Sequence, residues 1–84
     1  MDAREAIRAF VKDMLAGKGE TAAFADSDSL LLNGRLQSID AVEIALFLEQ
    51  EYAIDFAVLG FDQALLDSVD AIVALVDQHG RKGS

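Results

Sequence analysis

The stretch GRLQSIDAVEIALFLEQEY, residues 34–52, constrains the fold of this chain more than any other. From residue 38 onward it has the periodicity of a helix with apolar residues on two sides. The first stripe is predicted to face the core and consists of Ala41, Ile44, Leu48 and Tyr52, with Phe47 beside it. The second apolar line, as it is called below, consists of Ile39, Val42 and Leu46. A domain of 84 residues has little room to bury a helix on every side, so we expect this line to be partly exposed and to contact partners. The alternative is that the whole helix is core.

A turn and a short polar residue mark the start of this helix. Asn33-Gly34 is a turn signal. Ser38 is predicted to cap the helix by accepting a hydrogen bond from a first-turn backbone N–H. Asp40 follows in the first turn, where the helix dipole favours a negative charge. Capping alone would account for Ser38, and only the surrounding string suggests a further role.

Two more main helices are predicted. The first runs from Asp2, its predicted cap, to about Gly17. Its apolar stripe consists of Ile7, Phe10, Val11 and Met14. The last begins at residues 67–70, where a capping residue is followed by an acid, and it ends near His79. Its apolar stripe consists of Val69, Ile72, Val73 and Val76. A short helix is compatible with residues 61–66. The expected fold is all-α: a small four-helix bundle of three main helices plus one short helix, with a long first loop.

A connection of about twenty residues, 18–37, precedes the central helix. Loops of this length are uncommon in compact domains unless they are functional or pinned by their own side chains. We expect Phe24 and the run Leu30-Leu31-Leu32 to be buried and to pin it, with a single helical turn at Asp28-Ser29. The shorter connection, 53–60, has two apolar anchors, Ile54 and Phe56.

Asp26 and Asp28 invite comparison with a calcium-binding loop. With Asp26 as the first ligand, the fifth position would be Leu30, the sixth Leu31 instead of Gly, and the twelfth Gln37 instead of Glu. The motif fails at three essential positions and is rejected. The chain has no Cys, so a thiolate metal site is excluded as well.

The charge of the chain is strongly acidic and unevenly placed. The net charge is −8, and between Leu36 and Gly80 there are nine acids and no base. Nucleic acid and anionic membranes are therefore poor partners, and a basic protein surface is the natural complement. The alternative is a merely solvated acidic face. The residues predicted to contact partners are Gln37, Ile39, Asp40, Val42, Glu43, Leu46 and Glu49.

Composition adds expectations about the class of protein. Hydrophobic residues make up 52% of the chain, too many for a disordered protein. No apolar run approaches the ~18 residues that a membrane span needs, and no signal peptide is visible. We expect a soluble, cytoplasmic domain that is monomeric.

The string Gly34-x-x-x-Ser38-Ile39-Asp40-x-Val42-Glu43-Ile44 resembles the attachment-site region of acyl and peptidyl carrier proteins. The acidic run before Tyr52 and the string DSVDAIVALV near the C-terminus are also similar to that family. The spacing between Gly34 and Ser38 is similar to that in stand-alone carriers of the D-alanyl and lipopeptide pathways. In the fatty-acid carrier the glycine lies one residue closer to the serine. The chain departs from the family at Gln37, where Asp is usual.

The resemblance implies that Ser38 carries a covalent 4′-phosphopantetheine arm. The thiol of that arm would hold acyl, aminoacyl or peptidyl intermediates as thioesters for biosynthetic enzymes. The implied partners are a phosphopantetheinyl transferase and the enzymes that load and unload the arm. The second apolar line would contact these enzymes or line a small acyl cavity. Residues 1–80 would form the carrier domain. Residues 81–84 would be a tail whose Gly-Ser end is compatible with a cloning remnant.

The sequence does not predict an enzyme. A serine nucleophile needs a base within hydrogen-bond reach, and nothing places His79, the single histidine, near Ser38. Glu49 and Glu51 are two residues apart and point to different sides of the helix. The alternative to a carrier, from a different class, is an acidic helical protein-interaction module without a prosthetic group.

Overall fold

Three long helices and two short helical segments form the protein. The structure is a computed structural model that describes residues 2–21 and 23–80. The elements are α1 (Ala3–Gly17), α2 (Ser38–Tyr52), α3 (Phe56–Leu59), a 3-10 helix (Gln63–Leu66) and α4 (Val69–His79). The described residues contain no strand. The predicted all-α bundle is therefore confirmed.

The ends of α1 and α4 are set by local capping, as the sequence predicts. The Asp2 carboxylate accepts a hydrogen bond from the backbone N–H of Glu5 at 2.9 Å. The Ser68 hydroxyl accepts one from the N–H of Ala71 at 3.1 Å. Each bond satisfies a first-turn N–H that has no partner within its own helix.

The core is formed by one face of each long helix together with side chains from the loops. α1 packs along α4, and the 3-10 helix packs against both α2 and α4. The ring of Phe10 in α1 also stacks on that of Phe47 in α2, with 4.2 Å between the centroids. The most deeply buried residues are Ile7, Val11, Leu15, Leu30, Leu36, Ala41, Ile44, Leu48, Ile54, Leu66, Val69 and Ile72. The predicted stripes of all three long helices are thus confirmed, and Leu15 and Leu36 are additional members of the core.

The long connection, residues 18–37, is pinned at its middle to the start of α4. The Ser29 hydroxyl donates to the Asp67 carboxylate at 2.7 Å, and the N–H of Leu30 donates to the Asp67 carbonyl at 2.9 Å. The N–H of Asp70 donates in turn to the Asp26 carbonyl at 3.0 Å. These bonds supply partners for loop backbone groups that a buried segment cannot leave unpaired.

The leucine run in this connection is not buried as a whole. Leu30 faces the core and Leu31 is half-buried, but the side chain of Leu32 is 87% exposed, so the prediction that it pins the loop is wrong. The backbone turns there: the N–H of Asn33 donates to the Ser29 carbonyl at 3.0 Å, and Gly34 has a φ of +81°. Successive side chains of a turn point in different directions, so three consecutive leucines cannot all face one core.

The region between α2 and α4 contains one more element than the sequence analysis expects. Ile54 and Phe56 are buried, as predicted, but residues 53–60 also include α3. The Asp55 carboxylate caps it by accepting from the N–H of Ala57 at 3.0 Å. The short helix expected at residues 61–66 is present as the 3-10 helix.

Candidate functional site

Ser38 is the first residue of α2 and is exposed. The prediction that it caps the helix is wrong, because the N-cap is Gln37, whose backbone is extended. The Gln37 carbonyl already accepts from the N–H of Asp40 at 2.9 Å and from that of Ala41 at 3.1 Å. The cap therefore lies one residue earlier than expected, whereas the predicted extent of the helix, from Ser38 to about Tyr52, is confirmed. Ser38 lies at the N-terminal end of α2, where backbone N–H groups and the helix dipole create a partial positive charge.

Asp40 is turned inward and holds this helix start in place. The residue is 7% exposed, and its carboxylate accepts from the backbone N–H of Gln37 at 2.8 Å. The same carboxylate forms an ion pair with the ammonium group of Lys18, the residue that caps the C-terminus of α1. Asp40, which was predicted to contact partners, is therefore a scaffold residue. Lys18 is a residue that the sequence analysis misses, because no periodic relation connects positions 22 apart.

The pKa of Asp40 reflects two opposing effects. Burial alone would raise the pKa of this carboxyl. The hydrogen bonds from Lys18 and from the Gln37 N–H, together with the charge of Lys18, outweigh burial and hold the pKa below its ordinary value. Asp40 is therefore ionised at neutral pH, with its charge balanced by Lys18.

The second apolar line is exposed, as predicted. Ile39 is 63% exposed, Val42 43% and Leu46 51%, whereas Ile44 and Leu48 on the opposite side are fully buried. α2 is thus a helix with one face in the core and one apolar face in solvent. An exposed apolar line on a helix of a small domain is typical of a contact surface.

Exposed polar residues flank this line. Glu43 and Glu49 in α2 and Gln37 just before it are all exposed. No base occurs between Leu36 and Gly80, and neither Glu43 nor Glu49 forms an ion pair with a base among the described residues. Of the predicted partner-contacting residues, all except Asp40 are available at the surface.

The acids of the long connection have structural partners. The Asp26 carboxylate forms ion pairs with Arg8 and, at 2.8 Å, with Arg4, and these hydrogen bonds lower its pKa. The Asp28 carboxylate accepts from the N–H of Ala25 at 2.9 Å. Within residues 2–21 and 23–80 no group of three or more potential metal ligands occurs. The predicted tail, residues 81–84, lies outside the described residues.

Comparison with protein-family models, with curated protein sequences and with solved structures gave no match. Among the described helices, none is long and apolar enough to span a membrane.

A Leu→Ala substitution on each side of α2 tests whether one side is buried in the core and the other exposed to solvent. Leu48→Ala should lower the free energy of unfolding by about 2–5 kcal/mol because it opens a cavity in the core. Leu46→Ala, two residues away on the exposed line, should change it by no more than about 0.5 kcal/mol. Urea unfolding followed by circular dichroism measures both. Equal losses would show that the second apolar line is part of the core.

Proposed function

We propose that this chain is a carrier protein that holds acyl, aminoacyl or peptidyl groups as thioesters on a 4′-phosphopantetheine arm attached to Ser38. The observation that carries the proposal is the position of Ser38, exposed at the first residue of α2 and followed by an exposed apolar line. The string around it resembles the attachment region of carrier proteins. An all-helical bundle is compatible with this role.

The surroundings of Ser38 suit a phosphodiester. The N-terminal N–H groups of α2 and the helix dipole favour a phosphate at this end. Asp40, the nearest acid along the chain, is turned inward and paired with Lys18, so its charge is compensated. The arm, when attached, supplies the thiol that forms the thioester. In the attachment reaction the Ser38 hydroxyl loses its proton and its oxygen attacks the phosphopantetheine phosphorus of coenzyme A, displacing adenosine 3′,5′-bisphosphate.

The partners proposed for this surface are enzymes with basic docking sites: the transferase that attaches the arm, and the enzymes that load and unload it. Glu43 and Glu49 would steer such partners, because exposed charges act over a Debye length of about 8 Å at physiological salt. Each exposed ion pair contributes only ~0.2–1 kcal/mol. The apolar contacts of Leu46 and its neighbours would then hold the complex after encounter.

An acidic helical interaction module without a prosthetic group is the second candidate. The base-free stretch from Leu36 to Gly80 favours it, because such a surface attracts basic proteins whether or not Ser38 is modified. Gln37 also favours it, because the carrier family usually has Asp at that position. The two candidates differ in a single observable, the covalent modification of Ser38.

Attachment at Ser38 is tested by incubating the protein with coenzyme A and a broad-specificity phosphopantetheinyl transferase. The intact mass should increase by one phosphopantetheine, and peptide mass spectrometry should place it on Ser38. Ser38→Ala should abolish the modification, whereas Ser27→Ala, at an exposed serine in the long connection, should be modified as the wild type is. Modification of Ser38→Ala, or no modification of the wild type by any transferase, would contradict the carrier proposal.

The docking surface is tested with the same transferase by charge reversal. Glu43→Lys should lower kcat/KM for modification by about three- to tenfold, equivalent to about 0.7–1.4 kcal/mol. Asp77→Lys makes the same change of charge at an exposed position near the end of α4 and should have little effect. The effect of Glu43→Lys should fade at 1 M salt, where the Debye length is about 3 Å. Equal effects of the two reversals, or no dependence on salt, would place docking elsewhere.

A further inference from the structure

Lys12 differs from the other bases of the described chain. Four of these bases form an ion pair with a carboxylate: Arg4, Arg8, Lys18 and Arg35. Lys12, exposed on α1, has no carboxylate partner among residues 2–21 and 23–80. Its positive charge is therefore not balanced by an ion pair within the described residues.

Lys12 lines a cavity of about 230 Å³ between α1 and the long connection. The apolar part of the lining comes from Leu15 and Ala16 of α1 and from Ala23 and Phe24 of the connection. The hydroxyl-bearing residue Thr21 also lines it. The cavity is smaller than the ~300–1,000 Å³ that is typical of drug-sized ligands, so its ligand must be small.

The two other charged residues of the lining are already compensated. The Arg8 guanidinium is paired with Asp26 and lies 5.0 Å from the centre of the Phe24 ring. The Glu20 carboxylate accepts from the Arg35 Nε at 3.1 Å. The charge that remains at the cavity is the single positive charge of Lys12.

We infer that this cavity binds a short-chain carboxylic acid as its monoanion. The ligand carboxylate would pair with the Lys12 ammonium group, and the Thr21 hydroxyl would be a second donor. The alkyl chain would lie against Leu15 and Phe24, where it is removed from water. One unpaired cation balances one negative charge, which favours a monoanion over a doubly charged phosphate. This binding site is independent of the proposed attachment of an arm to Ser38.

The inference is tested with sodium hexanoate as the probe, at constant ionic strength and below its micelle concentration. Titration followed by ¹H–¹⁵N NMR should give saturable shifts of the amides of Ala16, Thr21 and Ala23. Hexylammonium chloride has an alkyl chain only one carbon longer and the opposite charge, and it should shift these amides little. Acetate, which has no long alkyl chain, should also shift them little. Lys12→Gln should weaken hexanoate binding by about fivefold, equivalent to about 1 kcal/mol. Lys12→Arg should retain it.

Three outcomes would overturn the inference. The first is the absence of saturable shifts at these amides in the wild type. The second is equal binding of hexanoate and hexylammonium, which would indicate apolar contact without recognition of charge. The third is unchanged hexanoate affinity in Lys12→Gln. The comparison of the probes uses the unaltered protein, so the test does not depend on the folding of a variant.

Discussion

The Asp40 carboxylate makes the interaction on which the arrangement of α2 depends. It binds the backbone N–H at the start of α2 and the ammonium group of Lys18 at the end of α1. The two charged residues lie near opposite ends of the connection 18–37, so their ion pair closes this loop across about twenty residues. With the helix start fixed in this way, Ile44 faces the core, and Ser38 and the second apolar line face solvent.

Ion pairing engages four bases of the described chain and gives none of them to Glu43 or Glu49 on the exposed side of α2. Arg4 and Arg8 pair with Asp26, and Arg4 also pairs with Asp70 of α4 at 2.6 Å. Arg35 pairs with Glu20, and Lys18 pairs with Asp40. Two of these carboxylates, Glu20 and Asp26, belong to the long connection, and the pairs of Asp26 bind this connection to α1. Glu43 and Glu49, exposed on α2, form no ion pair with a base of the described residues, which is why we propose basic docking surfaces. Among the bases that the structure describes, Lys12 lies outside this scheme, and it lines a cavity instead.

Local patterns made much of the fold predictable. Helical periodicity and capping residues are encoded within a few positions, and they located α1, α2 and α4, the caps Asp2 and Ser68, and the exposed second apolar line. The ion pair between Lys18 and Asp40 was not predictable, because it depends on how the long connection folds. The exposure of Leu32 likewise depends on the backbone turn at residues 30–34. The position of α3 has a local signal as well, the capping residue Asp55 before an apolar run, but four residues are too few for helical periodicity to show.

Direct titration of the Asp40 carboxyl by NMR tests the central claim that this buried group fixes the start of α2. The account predicts a pKa below the ordinary 3.8 in the wild type. It also predicts a rise in Lys18→Met, where burial is no longer offset by the ammonium group, and no change in Lys12→Met. A carboxyl with a lowered folded-state pKa stabilises the fold above its unfolded-state value and loses that contribution as the pH falls through the folded-state value. A wild-type pKa at or above 3.8, or no response to Lys18→Met, would contradict the account.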